Sequence, residues 1–178
     1  YDAQTSRYRF TLVGDNVSAT STVPQSEAWD LPQNCVRINV SAGGPWQALL
    51  GSGGNQKDIS GFYALSFRIR ADRETDSDLF IQLQDNPLYS EEKLSATLGL
   101  VENGYIGSPR IGPEWQRAVI PVADFLKSIQ EFNVTQLGQM IFSGVGAEPV
   151  TFWISDIVFH VNPGELEKET LPMTAAKR

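Results

Sequence analysis

TFWISDIVFHV, residues 151–161, is an apolar run with Ser155 and Asp156 set in its middle. Side chains of a strand alternate between two faces, so an unbroken strand would place Asp156 beside Ile154 and turn Ile157 and Phe159 to the other side. One extra residue at Ser155–Asp156 removes the conflict, because Phe152 and Ile154 before it then share a face with Ile157 and Phe159 after it. An insertion of that kind is a β-bulge. The stretch reads as a bulged strand with one buried face.

Nine further runs precede it, separated by Gly, Pro, Asn and Asp: YRFTLVG (8–14), NVSATSTV (16–23), CVRINVS (35–41), WQALLG (46–51), YALSFRIRA (63–71), DLFIQLQ (78–84), SATLGLV (95–101), WQRAVIPV (115–122) and LGQMIFSG (137–144). About ten strands of roughly 5–8 residues with turn residues between them predict an all-β fold, an antiparallel β-sandwich or barrel. In YALSFRIRA, Leu65, Phe67 and Ile69 share one face, and Ser66, Arg68 and Arg70 the other. DLFIQLQ repeats the arrangement with Leu79, Ile81 and Leu83 inside and Phe80, Gln82 and Gln84 outside. Two such sheets packed about 10 Å apart bury the inner faces and leave the outer ones for binding.

Helical periodicity is nearly absent, and VADFLKSI (122–129) after Pro121 reads as a loop element. The segment from Pro163, PGELEKETLPMTAAKR, is charged and lacks a strand pattern. It reads as a linker or tail, residues 163–178, behind a module of residues 1–162.

With 178 residues, 41% of them hydrophobic, the chain has the size and composition of one domain. A net charge of −7, with 14 Lys and Arg scattered singly, offers no basic stripe for nucleic acid or an anionic membrane surface. No run approaches the roughly 18 apolar residues that span a bilayer, and no signal peptide is recognised. Beginning at Tyr1 rather than Met, the chain reads as a mature protein or as a module of something longer. Cys35 is the single cysteine and falls in the apolar alternation CVRINV, as a buried small hydrophobe would. Asn16-Val-Ser, Asn39-Val-Ser and Asn133-Val-Thr fit the glycosylation acceptor pattern, a motif too short to carry weight alone.

The inventory for catalysis is thin. His160 is the single histidine, sits at the end of the last strand and reads as a surface or edge residue. No G-x-S-x-G turn accompanies it. Acids such as Asp72, Asp76, Glu91, Glu92 and Glu114 fall in turns, where solvated carboxylates normally lie. Distant carboxylates can still converge to the ~5–9.5 Å of a glycoside hydrolase, so a hydrolase or lyase stays among the alternatives.

GPWQALL followed by a Gly-rich loop, DISGFYALSFRIRA, DLFIQLQD, EWQRAVIPVADF, VTQLGQMIF and TFWISDIVF, in that order over residues 45–161, resemble the β-jelly-roll carbohydrate-binding modules of families eleven and thirty. They also resemble the complex I intermediate-associated protein 30 domain; all share a galactose-binding-like fold. The resemblance implies a jelly roll, with Trp46, Trp115 and Phe125 in packing roles. It implies a non-catalytic module that recognises a plant or algal polysaccharide, β-glucan included, on its concave sheet. Such a module is secreted or cell-surface and targets an attached enzyme. A protein-interaction or assembly-factor domain is the alternative. Not every site position of the family is kept: Pro45 stands where a tyrosine precedes the Trp, and Ser128-Ile129-Gln130-Glu131 stands where an Arg-x-Asp-Tyr is found.

Within that frame the bulge aspartate has two readings. The simpler is a carboxylate bonding backbone groups; the sharper is Asp156 as ligand of a structural calcium, the one cofactor considered. If WQALL, DLFIQLQ and LGQMIF share a sheet, Gln47, Gln82, Gln84 and Gln139 point outward from it, with Tyr89 and Tyr105 on adjoining loops. Amides both donate and accept hydrogen bonds, as sugar hydroxyls do, and a tyrosine ring can stack on a pyranose. A plain polar solvent face is the competing reading. On the opposite sheet Arg68, Arg70, Arg117 and Trp153 are placed for structural cation–π stacks.

Overall fold

The computed structural model describes residues 10–20, 35–51, 56–75, 79–86 and 93–168. The described residues form ten strands: β1 (Phe10–Val13), β2 (Val17–Thr20), β3 (Cys35–Val40), β4 (Gly44–Gly51), β5 (Ala64–Ala71), β6 (Phe80–Asp85), β7 (Ser95–Gly99), β8 (Gln116–Pro121), β9 (Leu137–Gly146) and β10 (Val150–His160). They form two five-stranded sheets, ordered β1-β4-β9-β6-β7 and β2-β3-β10-β5-β8. Every pairing is antiparallel. The all-β antiparallel sandwich expected from the alternation is the observed fold, and it is of the jelly-roll kind that the resemblance implies.

Aromatic and β-branched side chains, which favour pleated half-buried surfaces, fill the space between the sheets. Phe67 of β5 meets Phe142 of β9 edge-on, ring centroids 5.3 Å apart at 86°. Trp46 of β4 stacks on Phe152 of β10 at 6.0 Å. Trp46 is therefore a core residue, and Phe125 and Cys35 are buried as well.

The bulge lies where the sequence placed it. β10 pairs with β5 up to Ser155↔Arg68 and resumes at Val158↔Ser66, so two residues, Asp156 and Ile157, stand opposite the single Phe67. Ile154 faces Ile69 and Phe159 faces Leu65, both on the core side. Asp156 takes φ +52°, a left-handed conformation that aspartate tolerates better than most residues, and its side chain projects into solvent.

Three sequence expectations differ from the structure. VADFLKSI is not a loop: α1 spans Val122–Ser128. Val122 and Phe125, three residues apart, are its buried anchors, and Lys127 pairs with Asp124 of its first turn at 2.7 Å. Two anchors are too few to display a helical period. The segment after Pro163 begins with a second helix, α2 (Pro163–Lys168). Its Glu165 accepts a hydrogen bond from the Val161 N–H at 3.0 Å, and its Leu166 carbonyl accepts from Arg117 Nη1 at 3.1 Å.

His160 is the third. Its register opposite Ala64 sets it on the outer face of the second sheet, yet it is only 2% exposed. α2 lies over it, with Glu165 Oε2 3.8 Å from Nδ1, and the Ser66 hydroxyl is 2.6 Å from Nε2.

Candidate functional site

Pairing registers determine which side chains share the outer face of the first sheet. Trp46, Ala48, Ile81, Leu83 and Phe142 point into the core, so their alternates point out. Three rows then cross the strands. Val13, Gln47, Ser143, Phe80 and Gly99 stand side by side in one; Leu49, Ile141, Gln82 and Thr97 in the next; Gln139, Gln84 and Ser95 in the third. All four glutamines singled out from the sequence, Gln47, Gln82, Gln84 and Gln139, lie on this one face.

Hydrogen bonds tie three of them down. Gln139 Nε2 donates to Gln84 Oε1, and Gln84 Nε2 donates to Ser95 Oγ at 2.9 Å, giving a directional row across β9, β6 and β7. Gln82 Nε2 donates to Ser143 Oγ at 2.8 Å. The amides are thus held in fixed orientation instead of sampling rotamers, which lowers the entropy lost when a ligand orders them. Ile141 contributes an apolar floor between Leu49 and Gln82, outward by register yet only 3% exposed.

Two features of this face went unweighed at the sequence level. Phe80, outward and half-buried, is flanked in register by Gly99 and Ser143, neither large enough to cover a ring. Its alternation with Leu79 and Ile81 was the available signal. The second is charge: among the described residues, no strand side chain facing outward from this sheet is ionisable.

The remaining sequence candidates are placed elsewhere. Tyr89 lies outside the described residues. Tyr105 stands at the seam between the sheets, where its N–H meets the Leu100 carbonyl and its own carbonyl accepts from Val119 of β8. Its hydroxyl donates to Asp124 of α1 at 3.1 Å. Burial, reinforced by that neighbouring carboxylate, pushes the Tyr105 phenol up to about 12.

Asp156 faces outward from the second sheet, half-exposed, 3.5 Å from Arg68 Nε, and accepts a hydrogen bond from Ser155 Oγ at 3.4 Å. One carboxylate already beside a guanidinium does not fit calcium, which takes six to eight oxygen ligands. Among the described residues no group of three or more acids, histidines or cysteines is placed to hold a metal.

On that same outer face Arg70 lies between two indoles, 4.8 Å from the centre of Trp153 and 5.1 Å from that of Trp115. The stack spans β10, β5 and the entry to β8, as structural cation–π contacts do. Ser66, His160 and Glu165 bring hydroxyl, imidazole and carboxylate into line, but Ser66 and His160 are each 2% exposed beneath α2. The trio ties β5, β10 and α2 together and offers a substrate no approach.

Comparison with known proteins gives the face its context. The model of the family described as carbohydrate binding domain 30 matches residues 2–161. The family 30 carbohydrate-binding module of a cellulosomal cellulase of Clostridium thermocellum is 26% identical, with 83% of each chain covered and a TM-score of 0.63. The family 11 module from the same organism, in complex with a β-1,3-1,4-mixed-linked tetrasaccharide, shares the fold at TM-score 0.64 and 10% identity, over 89% of this chain and 91% of that one. No curated protein matches the sequence. The match to the family model runs over nearly the whole sandwich, from before β1 to the end of β10, and the chain belongs to carbohydrate-binding family 30.

Proposed function

We propose that the outer face of the first sheet binds a neutral polysaccharide without altering it. The observation that carries this reading is the combination on one surface of fixed amides, a flanked phenyl ring and, among the described strand side chains, no charge. Each bound amide retains lone pairs or N–H groups beyond those used within the row, and these match sugar hydroxyls, which also donate and accept. Phe80 supplies an apolar platform for a pyranose face, where the C–H groups of the sugar are directed. A uronate or sulfated chain would find no cation among the described strand side chains of this face to offset its desolvation.

The Ser66–His160 pair is buried, and membership of a carbohydrate-binding family supports the role of a tether. Joined to a catalytic domain outside the cell, such a module keeps that domain at high effective concentration over its glycan. The mixed-linked β-glucan carried by the similar family 11 module is the first glycan to try.

Affinity electrophoresis through gels containing a panel of plant, algal and microbial glycans tests the reading. Retardation by a neutral glucan, abolished by Gln82→Ala together with Gln84→Ala, supports it. Retardation that survives the double substitution moves the site elsewhere. Release of new reducing ends during incubation makes the protein an enzyme.

A further inference from the structure

Asp85 ends β6 immediately after Gln84 and is buried, 2% exposed, with both carboxylate oxygens satisfied by backbone N–H groups of two other segments. Oδ1 accepts from Leu94 at 2.8 Å, and Oδ2 accepts from Asn133 at 3.0 Å. Leu94 directly precedes Ser95, the far end of the amide row. Asn133 caps the 3-10 turn Val134–Gln136 that delivers β9 and, with it, Gln139. One carboxylate therefore grips the three strands at the point where each presents its member of the row.

The sheet ladder alone leaves that point loose. Pairing of β6 with β9 shifts register between Gln84 and Asp85: Gln84 stands opposite Gln139, while Asp85 stands opposite Leu137. Gly138 falls in the irregularity, packed so tightly that a Cβ there would lie 2.6 Å from Cβ of Asn86. A strand end next to a bulge can slip, and a slip of one residue turns every side chain to the other face. Charge-assisted bonds from a buried carboxylate are about twice as strong as neutral ones and geometrically selective.

We propose that Asp85 is a positioning residue of the glycan face, setting the register that lines up Gln139, Gln84 and Ser95. The inference rests on the reading of that face given above. Asp85→Asn preserves shape but turns an NH2 group toward a backbone N–H donor.

Two measurements on the full chain decide it. Calorimetric titration with β-1,3-1,4-mixed-linked tetrasaccharide, well below the unfolding midpoint, is expected to give an unchanged number of sites and a Kd raised roughly tenfold for Asp85→Asn. Fewer sites at an unchanged Kd would mean that Asp85 only stabilises the fold, and overturns the proposal. In 1H–15N spectra without glycan, the side-chain amide signals of Gln84 and Gln139 are expected to move toward solvent-exposed positions while that of Gln82, held by Ser143 in the neighbouring row, stays. Unmoved Gln84 and Gln139 signals, or all four glutamines moving alike, overturn it too. Should Asp85→Asn fail to fold, Asp85→Glu, which shifts the charge by one methylene, is read by the same two measurements. Wild-type protein that binds no glucan refutes the reading of the face, and the amide signals alone then decide the part of Asp85 in the row.

Discussion

Trp46 of β4 and Phe152 of β10, one from each sheet, stack across the sandwich with ring centroids 6.0 Å apart and planes inclined by 29°. On its other side the indole rests on Gly144, where a Cβ would come within 3.2 Å of Nε1. Phe152→Ala removes one partner from a fully packed interior and is expected to cost about 3–5 kcal/mol. Urea denaturation checks this as a lower midpoint at unchanged slope. Gly144→Ala is expected to cost less, because the indole has only to yield by tenths of an ångström.

Phe80 makes a prediction about binding instead of stability. Its ring is half-buried on the outer face, so Phe80→Ala should lower the unfolding midpoint less than Phe152→Ala does. Affinity for a retarding glucan should fall about tenfold, about 1.4 kcal/mol. Unchanged affinity would assign the sugar to another part of the face.

The left-handed backbone at Asp156 separates two substitutions at one position. Asp156→Gly relieves the conformation and loses the half-exposed pair with Arg68, a contribution of about 0–1 kcal/mol, together with the long hydrogen bond from Ser155 Oγ. Asp156→Val must force a β-branched residue to φ near +52° and should be less stable than the glycine variant by about 1–2 kcal/mol. Thermal unfolding midpoints of wild type in EDTA and in millimolar calcium are expected to coincide. A rise with calcium would restore the metal reading of this aspartate.

Tyr105 should contribute a pH dependence at the alkaline end. The folded chain keeps its phenol protonated up to about 12, whereas the unfolded value is 10.0. A group whose folded pKa is raised adds stability that is fully present below pH 10 and is lost as pH climbs toward 12. Tyr105→Phe should flatten the stability profile in that window. Ultraviolet titration should show one tyrosine ionising late in the wild type and missing from the variant.

Ser66→Ala supplies a control on the opposite sheet. It leaves buried His160 without the hydroxyl at 2.6 Å and should cost about 1–3 kcal/mol of stability. Glycan binding by the folded protein should be unchanged.

What the sequence displayed was period two. Leu65, Phe67 and Ile69 against Arg68 and Arg70 were enough to orient β5, and the misfit of Asp156 among Ile154, Ile157 and Phe159 was enough to locate the bulge. The common face of Gln47, Gln82, Gln84 and Gln139 followed from the same alternation once three runs were assigned to one sheet. What stayed hidden depends on contacts between distant segments. Donation from Gln139 to Gln84 needs the β6–β9 register, and burial of His160 needs α2, whose six residues carry no strand pattern and little helical one. Tyr105 was expected on a loop adjoining the sheet of the amides. Its hydroxyl instead follows Asp124, brought in by a helix with only two buried anchors.

The position of α2 has an architectural consequence. By docking against β10 and Arg117, it fixes residue 168 behind the sandwich, on the side turned away from the glutamine rows. α2 and the proposed glycan site therefore occupy the outer faces of different sheets, so that docking the helix and laying a flat, extended glycan across the glutamine rows do not compete for the same ground, as with the two sides of a tile.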